Sequence, residues 1–180
     1  MKTRDLTLII MWAVLGVVTA SLDIIVSLST GVFGLGLFTL PLGTGIIHIY
    51  FLNRFKGARW RFTIAMAIAS LILLPLPVAG PPFYALKVPS LMLQAFIGDV
   101  LFNTVYPRTG HKFAWSICFG GIHWFYTAWI TTLKYVPIYS WGFIVSFGSY
   151  ALPVTTILGV ISGFLGYVLY NKIGEVHVHN

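Results

Sequence analysis

A handful of polar side chains interrupt segments that are otherwise apolar, and their spacing sets them on helix faces. Asp99 and Asn103 are four apart and share one face. A carboxylate and an amide so placed suit a proton or cation site, or a gate; they equally suit a hydrogen-bond clamp between helices. His123 is followed by Thr127 and Thr131 at i+4 and i+8, with Trp124, Tyr126 and Trp129 around this polar stripe. An imidazole beside hydroxyls can hydrogen-bond a small ligand while aromatic faces sandwich a flat ring, or the stripe can simply hold helices together. His48 with Thr44 repeats the four-residue spacing. Asp23, at the outer end of the first apolar stretch, is either a site along a pathway or a carboxylate hydrated at the level of the lipid headgroups.

Other chemistries find no support. There is no HxxxH or ExxH pair inside an apolar stretch, and His177 and His179 alternate only on a short polar tail, so no metal centre is expected. No paired acid and base or activated nucleophile is present, so the chain is not expected to be an enzyme, and no cofactor is implied. No phosphate-binding loop or dinucleotide fingerprint occurs, so energy from a nucleotide has to come from a partner. The one cysteine, Cys118, cannot form an internal disulfide.

The elements that position these groups follow from composition. Of 180 residues, 58% are hydrophobic and 8% charged, against about 25% charged in a soluble domain. A bilayer core about 30 Å thick takes about 20 helical residues to cross. Apolar stretches run over 6–28, 35–52, 62–78, 89–106, 113–133 and 141–170, the last with room for tilt or a break at Pro153. Unpaired backbone is prohibitive in lipid, and no alternating segments suggest a closed barrel. The expectation is therefore one all-α transmembrane domain over residues 1–180, a polytopic six-helix bundle.

Charge gives this bundle an orientation. Lys2, Arg4, Arg54, Lys56, Arg59, Arg61, Arg108, Lys112 and Lys172 fall on one side, and Lys87 and Lys134 on the other. The positive-inside rule then puts both termini in the cytoplasm, and the net charge of +7 reports topology and not nucleic-acid binding. Val18-Thr19-Ala20 after the basic start resembles a signal-peptide cleavage site, but the apolar run continues to Leu28, so an uncleaved first span is expected. Ala13, Gly16 and Ala20 line one side of that span, where an external helix could dock, and Gly159 and Gly163 repeat the small-residue spacing. The outer segment from Pro75 to Pro89 holds five prolines and is stiff and extended enough to cap a cavity or cross the bundle. Leu40-Pro41-Leu42-Gly43-Thr44 is faintly echoed by Leu152-Pro153-Val154-Thr155-Thr156.

The chain resembles the substrate-binding S components of energy-coupling-factor vitamin transporters. The resemblance rests on the start Lys2-Thr3-Arg4-Asp5-Leu6-Thr7-Leu8-Ile9, the face through Ala13, Gly16 and Ala20, and six spans in one short chain. Gly80-Pro81-Pro82, Lys87-Val88-Pro89 and Gly98-Asp99-Val100-Leu101-Phe102 also look like that family's approach to its fourth span. It implies a subunit in a prokaryotic plasma membrane that captures a small water-soluble vitamin or related metabolite and associates with a transmembrane coupling subunit and ATPases. Carried onto this chain, the ligand would meet Gln94, His123, Tyr126, Thr127, Ser146 and Tyr150, and the coupling subunit would meet Ala13, Gly16 and Ala20. The competing readings are a non-catalytic accessory subunit of a larger membrane complex, and an oligomeric channel or ion-coupled carrier using Asp23 and Asp99.

Overall fold

A computed structural model describes residues 3–30 and 36–176. Lys2, His177 and His179 lie outside the described residues, as does the side chain of Asp23. Six helices follow in order: α1 (Thr3–Thr30), α2 (Gly36–Arg54), α3 (Arg61–Leu73), α4 (Lys87–Val105), α5 (Lys112–Lys134) and α6 (Trp141–Val176), with a single 3₁₀ turn at Tyr106–Arg108 and no strand among the described residues.

Proline explains where the helices depart from the apolar stretches. The third stretch reaches residue 78, but α3 stops at Leu73, because Pro75 has no N–H to donate to the ladder; Leu74 itself keeps helical angles as the C-cap. Pro89 falls in the first turn of α4, where its missing N–H is no loss, so α4 starts two residues before the apolar stretch. Pro41 and Pro153 sit inside α2 and α6 without ending them. In both cases a threonine three residues on donates its hydroxyl to the leucine carbonyl just before the proline: Thr44 to Leu40, and Thr156 to Leu152 at 2.6 Å.

Among the described residues, three segments are long and apolar enough to cross a bilayer: Thr3–Leu22, Lys87–Val105 and Trp141–Ile173. Six such spans were expected. At 13 residues α3 is too short for the full thickness, and α5 carries a polar stripe between two lysines.

The helices close into a ring in the order α3, α1, α2, α6, α5, α4. At one end Arg61 reaches Asp5 at 3.2 Å, Asn53 bonds Ser116 at 2.9 Å, and Phe113 lies 5.4 Å from Tyr167 between ring centroids. Lys87 and Lys134 lie at the opposite end, against the segment that joins α3 to α4. The described basic residues thus divide between the two ends as the sequence divides them.

Polar side chains are buried among an apolar core, and the outside of the bundle is apolar as well. His48, Asn53, Gln94, Asp99, Asn103 and His123 are buried, whereas Met11, Leu22, Ile25, Leu71 and Ile157 are exposed. That pattern is compatible with lipid as the solvent. The centre is filled by rings: Trp12 stacks on Phe62 at 4.8 Å and on Phe51 at 5.3 Å, and Phe119 meets Phe102 edge-on at 5.0 Å.

Small residues are used within the chain. A Cβ on Gly120 would overlap the Gly159 carbonyl, and one on Gly163 would lie 2.5 Å from the Ser116 carbonyl, so α5 and α6 pack backbone to backbone. Ala13 and Ala20 are also buried, with Ala20 packed beside Leu73, Val78 and Leu91, whereas a Cβ on Gly16 would meet nothing within 4 Å. The expected docking stripe on α1 is therefore covered within the chain at Ala13 and Ala20. The face that α1 leaves uncovered includes Ile10, Met11, Val14, Val18 and Leu22.

Candidate functional site

Asp99 is engaged on every side. Thr63 donates to its Oδ2 from the backbone N at 2.7 Å and from the hydroxyl at 2.6 Å. Phe62 N and Asn103 Nδ2 donate to Oδ1 at 3.4 and 3.0 Å. Phe62 and Thr63 are the second and third residues of α3, whose own N-cap, Trp60, makes no side-chain bond. Asp99 therefore does from a neighbouring helix what an N-cap side chain does locally, and its charge suits the positive end of the helix dipole. These bonds link α4 to α3 through Asp99. Gly98 makes room for this link, since a Cβ there would lie 2.8 Å from Phe62 Cε1 and 2.9 Å from the Tyr126 hydroxyl.

A second network joins α4 to α5. Tyr126 donates its one hydroxyl proton to the Gln94 carbonyl at 3.0 Å, so its 2.5 Å contact with His123 is donated by the Nδ1–H of the imidazole. The Gln94 side chain donates to the Thr131 hydroxyl at 3.2 Å. On the other side Trp12, which can only donate, gives its indole N–H to His48 Nδ1 at 2.9 Å, leaving the His48 proton on Nε2. The two imidazoles meet edge to face, 5.7 Å apart, with Phe62 against both. Gln94, His123 and Tyr126 are thus brought together. No group of three or more metal-ligating side chains occurs among the described residues.

Beside this network lies a cavity of about 60 Å³ between α2, α5 and α6, lined by Leu40, Pro41, Trp124, Thr127, Thr131 and Thr155 among others. Its surface is largely apolar. It is large enough for one or two waters at about 30 Å³ each, and well below the roughly 300–1,000 Å³ of small-molecule sites. Two of the lining residues, Trp124 and Thr127, each carry a polar group that is buried without a partner, the indole N–H and the hydroxyl. The indole nitrogen lies beside Gly45 and Ser162, where a Cβ on Gly45 would come within 2.7 Å of it. Such orphaned groups forfeit the hydration they had in water and receive nothing in return.

Ser146 and Tyr150 do not join the site. They are exposed, Tyr150 to 75%, on the outer face of α6, while Ile144, Ala151 and Thr155 face inward. A helix apolar all round gives no periodic signal from which to choose the inward face. Trp124, Thr131 and Thr155 belong to the cavity wall in their place. The first two belonged to the stripe around His123; for Thr155 the signal was the echo of the Leu-Pro segment of α2.

The end of the bundle opposite Arg61 carries a feature hidden in the charge count. Lys87 and Lys134 are 0% and 6% exposed. Lys87 Nζ donates to the carbonyls of Leu73 at 3.3 Å, Leu74 at 3.4 Å and Leu76, closing the carboxyl end of α3. Lys134 Nζ donates to the Ala79 carbonyl at 2.8 Å and lies 5.0 Å from the Tyr135 ring centre. Tyr84 donates to the Lys134 carbonyl and stacks on Tyr135. Burial, and then repulsion from Lys87, bring Lys134 down to about 8; burial first pushes Tyr135 up to about 12. Comparison with protein-family models, with curated proteins and with solved structures yields no match to this chain.

Proposed function

We propose that the chain is a six-span bundle of a prokaryotic plasma membrane, both termini cytoplasmic, and that it binds a small water-soluble metabolite for uptake. A vitamin or a related flat-ringed solute is the ligand class, and partner subunits, a membrane coupling protein with ATPases, supply the energy. The observation that carries this reading is the pair of unpartnered groups, the Trp124 N–H and the Thr127 hydroxyl, on two residues that line a cavity next to the Gln94–Tyr126–His123 network. A ligand that takes both groups gains hydrogen bonds the empty protein lacks.

A cavity of about 60 Å³ has to widen to admit such a ligand. Pro153 takes away the backbone bond to the Ser149 carbonyl, so the segment Trp141–Leu152 is the part of α6 that swings outward. Ligand binding then favours the widened state by its differential affinity. The smallness of the cavity is also the one observation that favours the second reading, an accessory subunit with no ligand.

The test is to purify the chain alone in mild detergent, denature it, and identify released molecules by mass spectrometry against empty membranes. A stoichiometric metabolite, reduced at least tenfold in Thr127→Val, supports the proposal. A stable protein that carries nothing and binds nothing from a metabolite panel moves the account to the accessory subunit.

A further inference from the structure

The segment between α3 and α4 is held over the outer end of the bundle by two buried ammonium groups whose hydrogen-bond acceptors are all backbone carbonyls. A buried cation ordinarily has an anion for a partner. Among the described carboxylates Asp5 is paired with Arg61, and Asp99 is consumed at the far end of α3. Lys87 is committed to the last carbonyls of α3, but Lys134 has a single acceptor, Ala79 O.

Among the described residues of the outer end, backbone strain falls in the strap that supplies this carbonyl. Ala79 and Phe83 hold φ of 57° and 56°, a region that favours glycine, and Phe83 is 72% exposed. On α5, Lys134 stands one turn outward of Thr131, on the same face, and Thr131 lines the cavity. An ammonium, a strained and exchangeable acceptor, and a cavity below them are thus stacked along one helix face.

We propose that Lys134 is an anion-binding group, that the Ala79 carbonyl occupies the place of a ligand carboxylate, and that the solute is therefore a flat-ringed monoanion whose ring enters the cavity. This rests on the solute-binding reading above and narrows its ligand class. Lys87 contributes charge without direct contact, and Tyr84 and Tyr135, both phenols, flank the ammonium. As the carboxylate replaces Ala79 O, the strap is released and its left-handed residues relax.

Benzoate and benzamide share one shape and differ in charge, so they are the probes. Their binding to the purified full chain in lipid nanodiscs is measured by tryptophan fluorescence and by calorimetry, for wild type, Lys134→Gln and Lys134→Arg. The expected result is at least tenfold tighter binding of benzoate, lost in Lys134→Gln and kept in Lys134→Arg. Equal binding of the two probes, or a preference that survives Lys134→Gln, overturns the proposal. So does failure of benzoate to bind a protein that co-purifies with a neutral solute, which leaves the solute-binding reading standing. A protein that binds neither probe and co-purifies with nothing overturns both. The wild-type comparison keeps the test decisive even if Lys134→Gln does not fold.

Discussion

Lys87 and Asp99, twelve residues apart on α4, cap opposite ends of α3. Twelve residues of helix span about 18 Å, and the 13 residues of α3 span about 20 Å, so one helix serves as a brace for its antiparallel neighbour. The signs match the dipole: the carboxylate meets the amino end and the ammonium meets the carboxyl end. A helix too short to span a bilayer, with no cap of its own at the amino end, is held at both ends from α4.

Asp99→Asn replaces one accepting oxygen by a donor that faces the Thr63 N–H, and Lys87→Met leaves the last carbonyls of α3 without their ammonium. Each loss is expected to cost about 1–3 kcal/mol. For a chain of this length that lowers Tm by about 2–4 °C per kcal/mol. The sites are far enough apart that the double variant should be additive within about 0.5 kcal/mol. Thermal unfolding in detergent checks this, and an unchanged Tm in either single variant contradicts the brace.

Thr127→Val should separate binding from folding. The hydroxyl has no partner, so its removal lifts a desolvation cost of about 1–3 kcal/mol and raises the Tm of the empty protein. Ligand retention should fall in the same variant. A lowered Tm in the ligand-free state would show that the hydroxyl is satisfied within the bundle.

Two glycines make a contrast. Gly120→Ala drives a methyl into the Gly159 carbonyl and should prevent the α5–α6 approach, with loss of monodisperse protein on size exclusion. In Gly16→Ala the added methyl meets nothing within 4 Å, and alanine is favoured over glycine in a helix by about 1 kcal/mol. Gly16→Ala should therefore be neutral or stabilising, and a destabilised Gly16→Ala would mean that α1 packs more closely than the structure shows.

Lys134 gives a pH dependence of definite sign. Its folded value is about 8 against an ordinary 10.5. Between those values the unfolded chain holds a proton that the folded chain has lost, so stability should rise with pH across that window. Below about 8 both states are protonated and the slope vanishes. Lys87 and the phenols of Tyr84 and Tyr135 face the same place, and Tyr135, pushed up to about 12, keeps its proton throughout. The rise just above pH 8 should shrink in Lys134→Gln, and benzoate binding to wild type should weaken over the same window.

The helices were legible because apolar length and proline position determine them. The polar pair Asp99 and Asn103 was legible as a feature, but its role was not, because the groups it serves are backbone amides of a helix 36 residues earlier in the chain. Lys87 and Lys134 were read as topology, since a count of charges cannot show that an ammonium folds back onto carbonyls. Ser146 and Tyr150 were placed by depth alone, and α6 turns them outward. The stripe on Ala13 and Ala20 was seen correctly as a close-packing face, yet its partners are within the chain.

The most direct test of the central claim is an electron-microscopy or crystallographic map of the protein purified in lipid together with whatever solute it retains. The account predicts density for a small molecule between α2, α5 and α6, within hydrogen-bond reach of the Trp124 N–H and the Thr127 hydroxyl, with Trp141–Leu152 displaced outward. An unchanged cavity of about 60 Å³ in a protein that carries a stoichiometric solute elsewhere would contradict it.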